Sequence, residues 1–257
     1  MNAKRIVIKV GTSTITHENG KLDLVHIERL VRVISDISNR GTEVILVTSG
    51  AIGVGVSSLR LAEKPKDIPG KQAAAAVGQC RLMNIYEKFF SEYGYGVGQI
   101  LLSGDILELD RGTENVKNTI NRLIGYGVIP IVNENDTVST EEIQIGDNDT
   151  LSAIVAILSG ADLLVLLSDI DGLYDHDPHK GNAHLIPLVE GVTGDIRAMA
   201  TGSSTNLGTG GMVTKLNAAQ MVNDKGIDML LTNGATPENI YDYLDGKHPG
   251  TLFKAGK

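Results

Sequence analysis

What this chain lacks narrows its chemistry before any motif is considered. A single cysteine, Cys80, excludes an intrachain disulfide. Set in Val77-Gly78-Gln79-Cys80-Arg81-Leu82, that cysteine reads as a small apolar residue packed in a helix rather than as a nucleophile. No segment approaches the roughly 18 apolar residues of a spanning helix. The start, Met1-Asn2-Ala3-Lys4-Arg5, runs into a short apolar stretch interrupted by Lys9, unlike the core of a secretory signal. A cytoplasmic protein with no membrane partner is therefore expected. Positive charge is also short: 23 Lys and Arg stand against 31 Asp and Glu, a formal net charge of −8, which argues against a general affinity for nucleic acid. Neither the P-loop pattern nor the Rossmann glycine fingerprint occurs, and there is no internal repeat, low-complexity tract or linker. What is present is an ordinary globular composition of 257 residues, 42% hydrophobic and 21% charged, enough for one large α/β domain or two small ones.

Strand and helix patterns alternate along the chain. Ile6 to Val10 is a β-branched run, and Leu24, Ile27, Leu30, Val31, Ile34 and Ile37 then recur at helical spacing up to Gly41. Glu43 to Thr48 is an apolar run of the kind that is covered on both faces. The pattern predicts a loop over Lys64 to Gly70, a long helix from Lys71 to Tyr93 and a strand from Val97 to Ser103. A helix over Asn115 to Tyr126 follows, then a strand from Val128 to Val132 whose Pro130 suits an edge or a bulge. Asp149 to Leu158 and Met212 to Lys225 read as helices, and Leu163 to Leu167 and Ile227 to Leu231 as strands. A last helix begins near Thr236-Pro237. Such alternation demands a mainly parallel open sheet between helices, with ligands beyond the carboxyl ends of its strands.

The residues that could carry chemistry fall at those strand ends. Lys9-Val10-Gly11-Thr12-Ser13 places an ammonium beside backbone amides and hydroxyls where a tight turn can wrap an oxyanion. Gly208-Thr209-Gly210-Gly211-Met212-Val213-Thr214-Lys215 opens a helix, so glycine amides and the helix N-terminus can face phosphate while Lys215 neutralises it. Between them lie Val132-Asn133-Glu134-Asn135-Asp136 and Gly146-Asp147-Asn148-Asp149. Their side chains can orient lysines, hold a metal or bind the charged ends of a small substrate; Asp147 or Asn148 can equally cap a helix. Two lysines flanking an acidic loop suit phosphoryl transfer, where positioning and charge neutralisation do most of the catalysis. His176 and His179 lie three apart, but Pro178, Lys180 and Gly181 around them indicate a surface loop rather than a metal site.

These motifs, with Val47-Thr48-Ser49-Gly50-Ala51-Ile52, Ala75-Ala76-Val77-Gly78-Gln79, Asp169 with Gly172-Leu173-Tyr174, and Asp177-Pro178, occur in an order that resembles the amino-acid kinase superfamily over nearly the whole chain. The Asn-Glu-Asn-Asp run followed by Gly-Asp-Asn-Asp is similar to the members that phosphorylate glutamate for proline biosynthesis. The resemblance implies an α/β amino-acid kinase fold, a three-layer αβα sandwich around a mainly parallel open sheet. It would form one domain over 1–257, with a lobe of about 1–160 for the amino acid, a lobe of about 161–257 for ATP, and no C-terminal PUA domain. It implies that Lys9 and Lys215 stabilise the transferring phosphoryl group, with Asp147 organising them, and that Ser49, Asp136 and Asn148 hold glutamate. ATP would be contacted by Lys9, Gly11, Ser168, Asp169, Gly210, Gly211, Met212, Val213, Thr214, Lys215 and Leu216. Mg2+ would accompany ATP, proline would be a feedback inhibitor, and the chain would form a homo-oligomer, a dimer or tetramer. Two departures stand out: Ser168 replaces a threonine, and Gln144 replaces a lysine that often precedes Gly-Asp-Asn-Asp. Kinases of acetylglutamate, aspartate or UMP in the same superfamily, and an inactive nucleotide-binding module, are the alternatives.

Overall fold

The computed structural model describes residues 3–138, 147–178, 181–200 and 211–256. In chain order the elements are β1 (Arg5–Val10), α1 (Thr12–Ile15), α2 (Leu24–Asn39), β2 (Glu43–Val47), α3 (Ala51–Ser58), α4 (Ile68–Glu92), β3 (Val97–Leu102), α5 (Gly104–Leu107) and α6 (Asp110–Gly125). They continue with β4 (Ile129–Glu134), α7 (Asn148–Ser159), β5 (Leu163–Ser168), β6 (Leu188–Val189), α8 (Gly194–Ala200), α9 (Met212–Asn223), β7 (Asp228–Asn233), α10 (Asn239–Leu244) and β8 (Gly250–Phe253).

The strands form one sheet in the order β3-β4-β2-β1-β5-β7-β8-β6. From β3 to β7 every pairing is parallel; β8 returns antiparallel to β7 and pairs parallel with β6. Alternate residues of each strand feed two cores. Ile6, Ile8, Leu46, Ile131 and Val165 meet α2, α3, α4 and α10 on one face, whereas Val7, Ile45, Val132, Leu164 and Leu166 meet α6, α7 and α9 on the other. Burial on both faces explains why these strands read as unbroken apolar runs. Among the described residues no helix is long and apolar enough to cross a membrane.

Several boundaries differ from the sequence expectation, for local reasons. Helix α4 begins at Ile68 rather than Lys71, because Asp67 caps it by accepting from Gly70 N at 2.9 Å and Pro69 is tolerated in the first turn. Helix α6 begins at Asp110, five residues before the expected Asn115. Strand β4 is neither an edge nor bulged but lies between β3 and β2. Ile129 N bonds across to β3 and Val132 O to β2, so Pro130 turns its missing N–H towards β2, at the point where the β2 ladder begins only at Leu46–Ile131. Cys80 is on α4 as expected but exposed: Gly78 and Gln79 take the buried side of that turn. The short elements α5, β6, α8 and β8 carry too little periodicity to be read from sequence.

Candidate functional site

Strands β1, β2, β4 and β5 are adjacent to one another in the sheet, and Gly11, Ser49, Asp136 and Asp169 each follow the carboxyl end of one of them. Lys9 stands on the face of β1 shared with Val7, the face covered by α7. Its Nζ lies 2.7 Å from Asp149 Oδ1. Lys215, in the first turn of α9, reaches the other oxygen, Asp149 Oδ2, at 3.1 Å. Thr214 Oγ1 donates to that oxygen at 2.9 Å. One carboxylate thus holds together two ammonium groups from opposite ends of the chain. Asp149 is 1% exposed. Burial alone would raise its pKa, but the charges of Lys9 and Lys215 and hydrogen bonds from Lys9 and Thr214 outweigh burial and hold it below its ordinary value.

The sequence expectation named Asp147 as the organiser of the lysines; in the structure the carboxylate that contacts both lysines is Asp149, two residues further on. Asp147 is the N-cap of α7: its Oδ1 accepts from Thr150 N at 2.8 Å and its Oδ2 from Thr150 Oγ1 at 3.0 Å. A capping carboxylate bends back onto its own helix. Asp149, two positions further on, projects across to Lys9 and Lys215. The capping preference of Asp147 was visible in the sequence; that it spends its carboxylate and passes the lysine contact to Asp149 was the missed step.

Asn148, the residue between them, serves the other half of the site. Its Nδ2 donates to Thr48 O at 2.7 Å, Ser49 Oγ at 2.8 Å and Asn133 Oδ1 at 3.0 Å. Thr48 and Ser49 are held at the end of β2 because Gly50 adopts φ +94°, a left-handed turn that takes the chain straight into α3. Beneath them the buried Tyr86 hydroxyl meets Thr48 Oγ1 at 2.8 Å. Asn133, at the end of β4, has its Nδ2 on Gln79 Oε1 at 2.9 Å. The sequence singles out Asn133 and Gln79 only as members of their motifs, and nothing in it pairs the strand-end amide of Asn133 with a glutamine in the middle of α4. Asp136 follows β4, half-buried in a turn. Burial, and secondarily the charge of Glu134, push it up to about 6, against a smaller downward pull from Lys64.

The remaining expected positions divide. A β-carbon built on Gly11 would lie 3.7 Å from Lys9 Nζ, so this glycine borders the ammonium. Ser168 ends β5 with its hydroxyl on Asp169 Oδ1 at 3.0 Å, and Asp169 is exposed. Gly211 caps α9 and is exposed, as is Val213; Met212 and Thr214 are half-buried. Leu216 differs: its side chain is 1% exposed and belongs to the core beneath α9. Gly210, Gly146, Gln144 and His179 lie outside the described residues. His176 pairs with Asp175 at 2.7 Å.

Over residues 4–233 the chain matches the amino acid kinase family. It is 56% identical to a glutamate 5-kinase of Clostridium perfringens over 261 aligned residues, covering all of this chain and 97% of that one. It is likewise 56% identical to the glutamate 5-kinase of Clostridium tetani over 257 residues, covering 100% and 96%. In fold it resembles the carbamate kinase of Giardia lamblia bound to AMP-PNP, with a TM-score of 0.69 at 16% identity over 97% of this chain and 98% of that one. The chain therefore belongs to the amino acid kinase family, where it groups with the glutamate 5-kinases.

Proposed function

We infer that this protein transfers the γ-phosphoryl group of ATP to the side-chain carboxylate of glutamate, giving glutamate 5-phosphate and ADP, the first step from glutamate towards proline. The observation that carries the reading is the pair of lysines on Asp149, next in sequence to an asparagine that gathers Ser49 and Asn133. A side-chain carboxylate with a reference pKa of about 4.3 is ionised at neutral pH, so the nucleophile needs no general base. What opposes the reaction is repulsion between that anion and the polyphosphate. Two ammoniums are held around one carboxylate before the substrates arrive, which is the preorganisation that phosphoryl transfer rewards.

In this reading Lys9 and Lys215 face the transferring phosphoryl group and Asp149 sets their positions. Gly11, Ser168, Asp169, Gly211 and the first turn of α9, Met212 to Lys215, face ATP, as does Gly210 just before them in sequence, and ATP occupies the C-terminal lobe. Asp149 already engages two lysines and Thr214, so it is not free to ligate a metal. Mg2+ then enters with ATP, held mainly by phosphate oxygens, and supplies further neutralisation of their charge. Ser49, Asn148 and Asp136 hold the amino acid in the N-terminal lobe. Asp136 selects a substrate with a free ammonium, which favours glutamate over acetylglutamate, and proline, carrying the same ammonium and carboxylate, competes there. Glutamate-dependent release of ADP from ATP tests the reading. Release with acetylglutamate, aspartate or UMP in place of glutamate would replace it with one of those acceptors, and none with any acceptor would leave a nucleotide-binding module.

A further inference from the structure

Three side-chain amides lie in series beneath the substrate end of the site, and two backbone groups fix which way each of them faces. Asn148 contacts Thr48 O at 2.7 Å; a carbonyl can only accept, so that end of Asn148 is its NH2. Asn133 contacts Glu134 N at 2.9 Å; a backbone N–H can only donate, so that end of Asn133 is its oxygen. The same oxygen accepts from Asn148 Nδ2, and the opposite end, Nδ2, must therefore find an acceptor. Gln79 Oε1 supplies it at 2.9 Å, in a contact buried from water. Gln79 itself is 6% exposed, and its Nε2 is buried with no hydrogen-bond partner among the described residues. A buried donor in that state costs about 1 to 3 kcal/mol, so the glutamine is not there for its own stability.

The place of Gln79 is set by close backbone contact. A β-carbon on the preceding Gly78 would come within 1.8 Å of Ala51 O, and one on Gly55 within 1.8 Å of Ala74 O, so α4 rests on the first turns of α3 with no side chain between them. Helix α3 starts directly after Ser49-Gly50. Gln79 and Tyr86, seven residues apart on the buried side of α4, then reach Asn133 and Thr48 respectively.

We infer that Gln79 is a positioning residue for substrate recognition: as the acceptor for Asn133 Nδ2 it holds Asn133 Oδ1 in place against the NH2 of Asn148, and Asn148, its NH2 taken up by the protein, can offer an incoming amino acid only its carbonyl oxygen. The NH2 group has two protons and three acceptors around it, Thr48 O, Ser49 Oγ and Asn133 Oδ1, so it has none to spare. An acceptor at Asn148, alongside the acceptor at Asp136, recognises the α-ammonium of the substrate and not its α-carboxylate. This inference rests on the proposed glutamate site.

Wild-type enzyme gives the first test, by competition of two glutamate fragments against glutamate in the ADP-release assay. Glutarate lacks the ammonium and 4-aminobutyrate lacks the α-carboxylate. The expected result is that glutarate binds at least about tenfold more weakly than 4-aminobutyrate, since a site built from acceptors loses most when its donor is removed. Glutarate binding as well as or better than 4-aminobutyrate overturns the assignment of Asn148. The second test concerns Gln79. In Gln79→Met the acceptor for Asn133 is gone, and KM for glutamate should rise about tenfold or more, with kcat and KM for ATP within about threefold of wild type. Gln79→Glu, whose carboxyl can still accept from Asn133, should recover most of that loss. Unchanged glutamate KM in folded Gln79→Met, or a parallel loss of kcat, ATP binding and melting temperature not recovered by Gln79→Glu, overturns the positioning role. If Gln79→Met does not fold, Gln79→Glu and the fragment series still decide. Absence of glutamate-dependent ADP release in the wild type would instead sink the proposed function itself.

Discussion

At one end of the site a single carboxylate, Asp149, buried to 1% exposure, ties Lys9 and Lys215 together; at the other, Asn148 gathers Thr48, Ser49 and Asn133 through neutral hydrogen bonds. The two anchors are consecutive residues in the first turn of α7, yet one region is built from charges and the other from amides and a hydroxyl. Under the proposed function, the difference follows from what each end must do. A phosphoryl group in flight has no fixed partner until it develops charge, so its end needs ammoniums held in advance. A substrate that must be turned one way round needs donors and acceptors whose direction cannot change, which amides locked by backbone groups provide. The same contrast sets the expected failure modes: damage to the charged end should lower turnover, and damage to the neutral end should weaken one substrate only.

The hardest strain on that comparison is Asp149→Asn, which keeps the shape of the side chain and removes the charge shared by both lysines. Turnover should fall on the order of 10³-fold or more, at the upper end of what loss of a preorganised electrostatic element costs. Asp147→Ala, two residues away, removes only a helix cap and should cost about 1 kcal/mol of stability, with turnover nearly kept. Steady-state kinetics beside thermal melts separates the two; equal turnover losses would return the organising role to Asp147. Lys9→Ala and Lys215→Ala come next, each raising the barrier by about 2 to 4 kcal/mol while ATP binding changes less. A folded variant with near-normal kcat would remove that lysine from the charged end.

These contrasts also show what could be read from the chain and what could not. That Lys9 and Lys215 could meet at one acidic side chain was legible because each stands beside glycines where an apolar pattern meets a turn, with an acidic segment between them. The alternating parallel core was legible because strands buried on both faces have unbroken apolar runs. Asp149 was not, since Asp147, Asn148 and Asp149 share one chemistry class and only the helix phase, fixed by which residue caps, decides which of them looks across the site. Pro130 misled for a related reason. A proline is excluded from a ladder only where its N–H would be needed, and that depends on where the neighbouring strand β2 starts to pair. Gln79 carries no signal in sequence beyond its motif, because its contact with Asn133 exists only once α4 lies against α3 and β4 ends beside it.

Beside the amides, on the substrate side, Asp136→Ala should weaken glutamate by roughly 2 kcal/mol, the scale of a lost charge-assisted hydrogen bond, and leave ATP affinity nearly untouched. The wild type should reject acetylglutamate, whose acetyl group removes the ammonium and adds bulk beside that carboxylate. Loss of ATP affinity in Asp136→Ala, or equal use of glutamate and acetylglutamate, would break the division between the two ends.

The smallest effect is the one that reads both ends at once, because their carboxylates are shifted in opposite directions. Asp136 is pushed up to about 6 from its ordinary 3.8, first by burial and then by Glu134, whereas Asp149 is held below 3.8 by Lys9 and Lys215 against the effect of burial. For folding, the raised group favours the protonated protein: the stability linked to Asp136 is fully present below pH 3.8 and is lost as pH rises through about 6. The lowered group does the reverse: what Asp149 contributes is present above pH 3.8 and is lost only as pH falls through its still lower folded value. For binding, an ammonium requires ionised Asp136, while glutamate's own carboxylates and ammonium remain charged near pH 6. KM for glutamate should therefore rise as pH falls through about 6, approaching about tenfold per unit below it, with kcat and KM for ATP nearly flat between pH 7 and 5. Asp136→Asn should have a high glutamate KM that no longer varies over that range. A kcat that falls together with the affinity for glutamate would mean that the charged end titrates in the same window, and that the two ends are not separate devices.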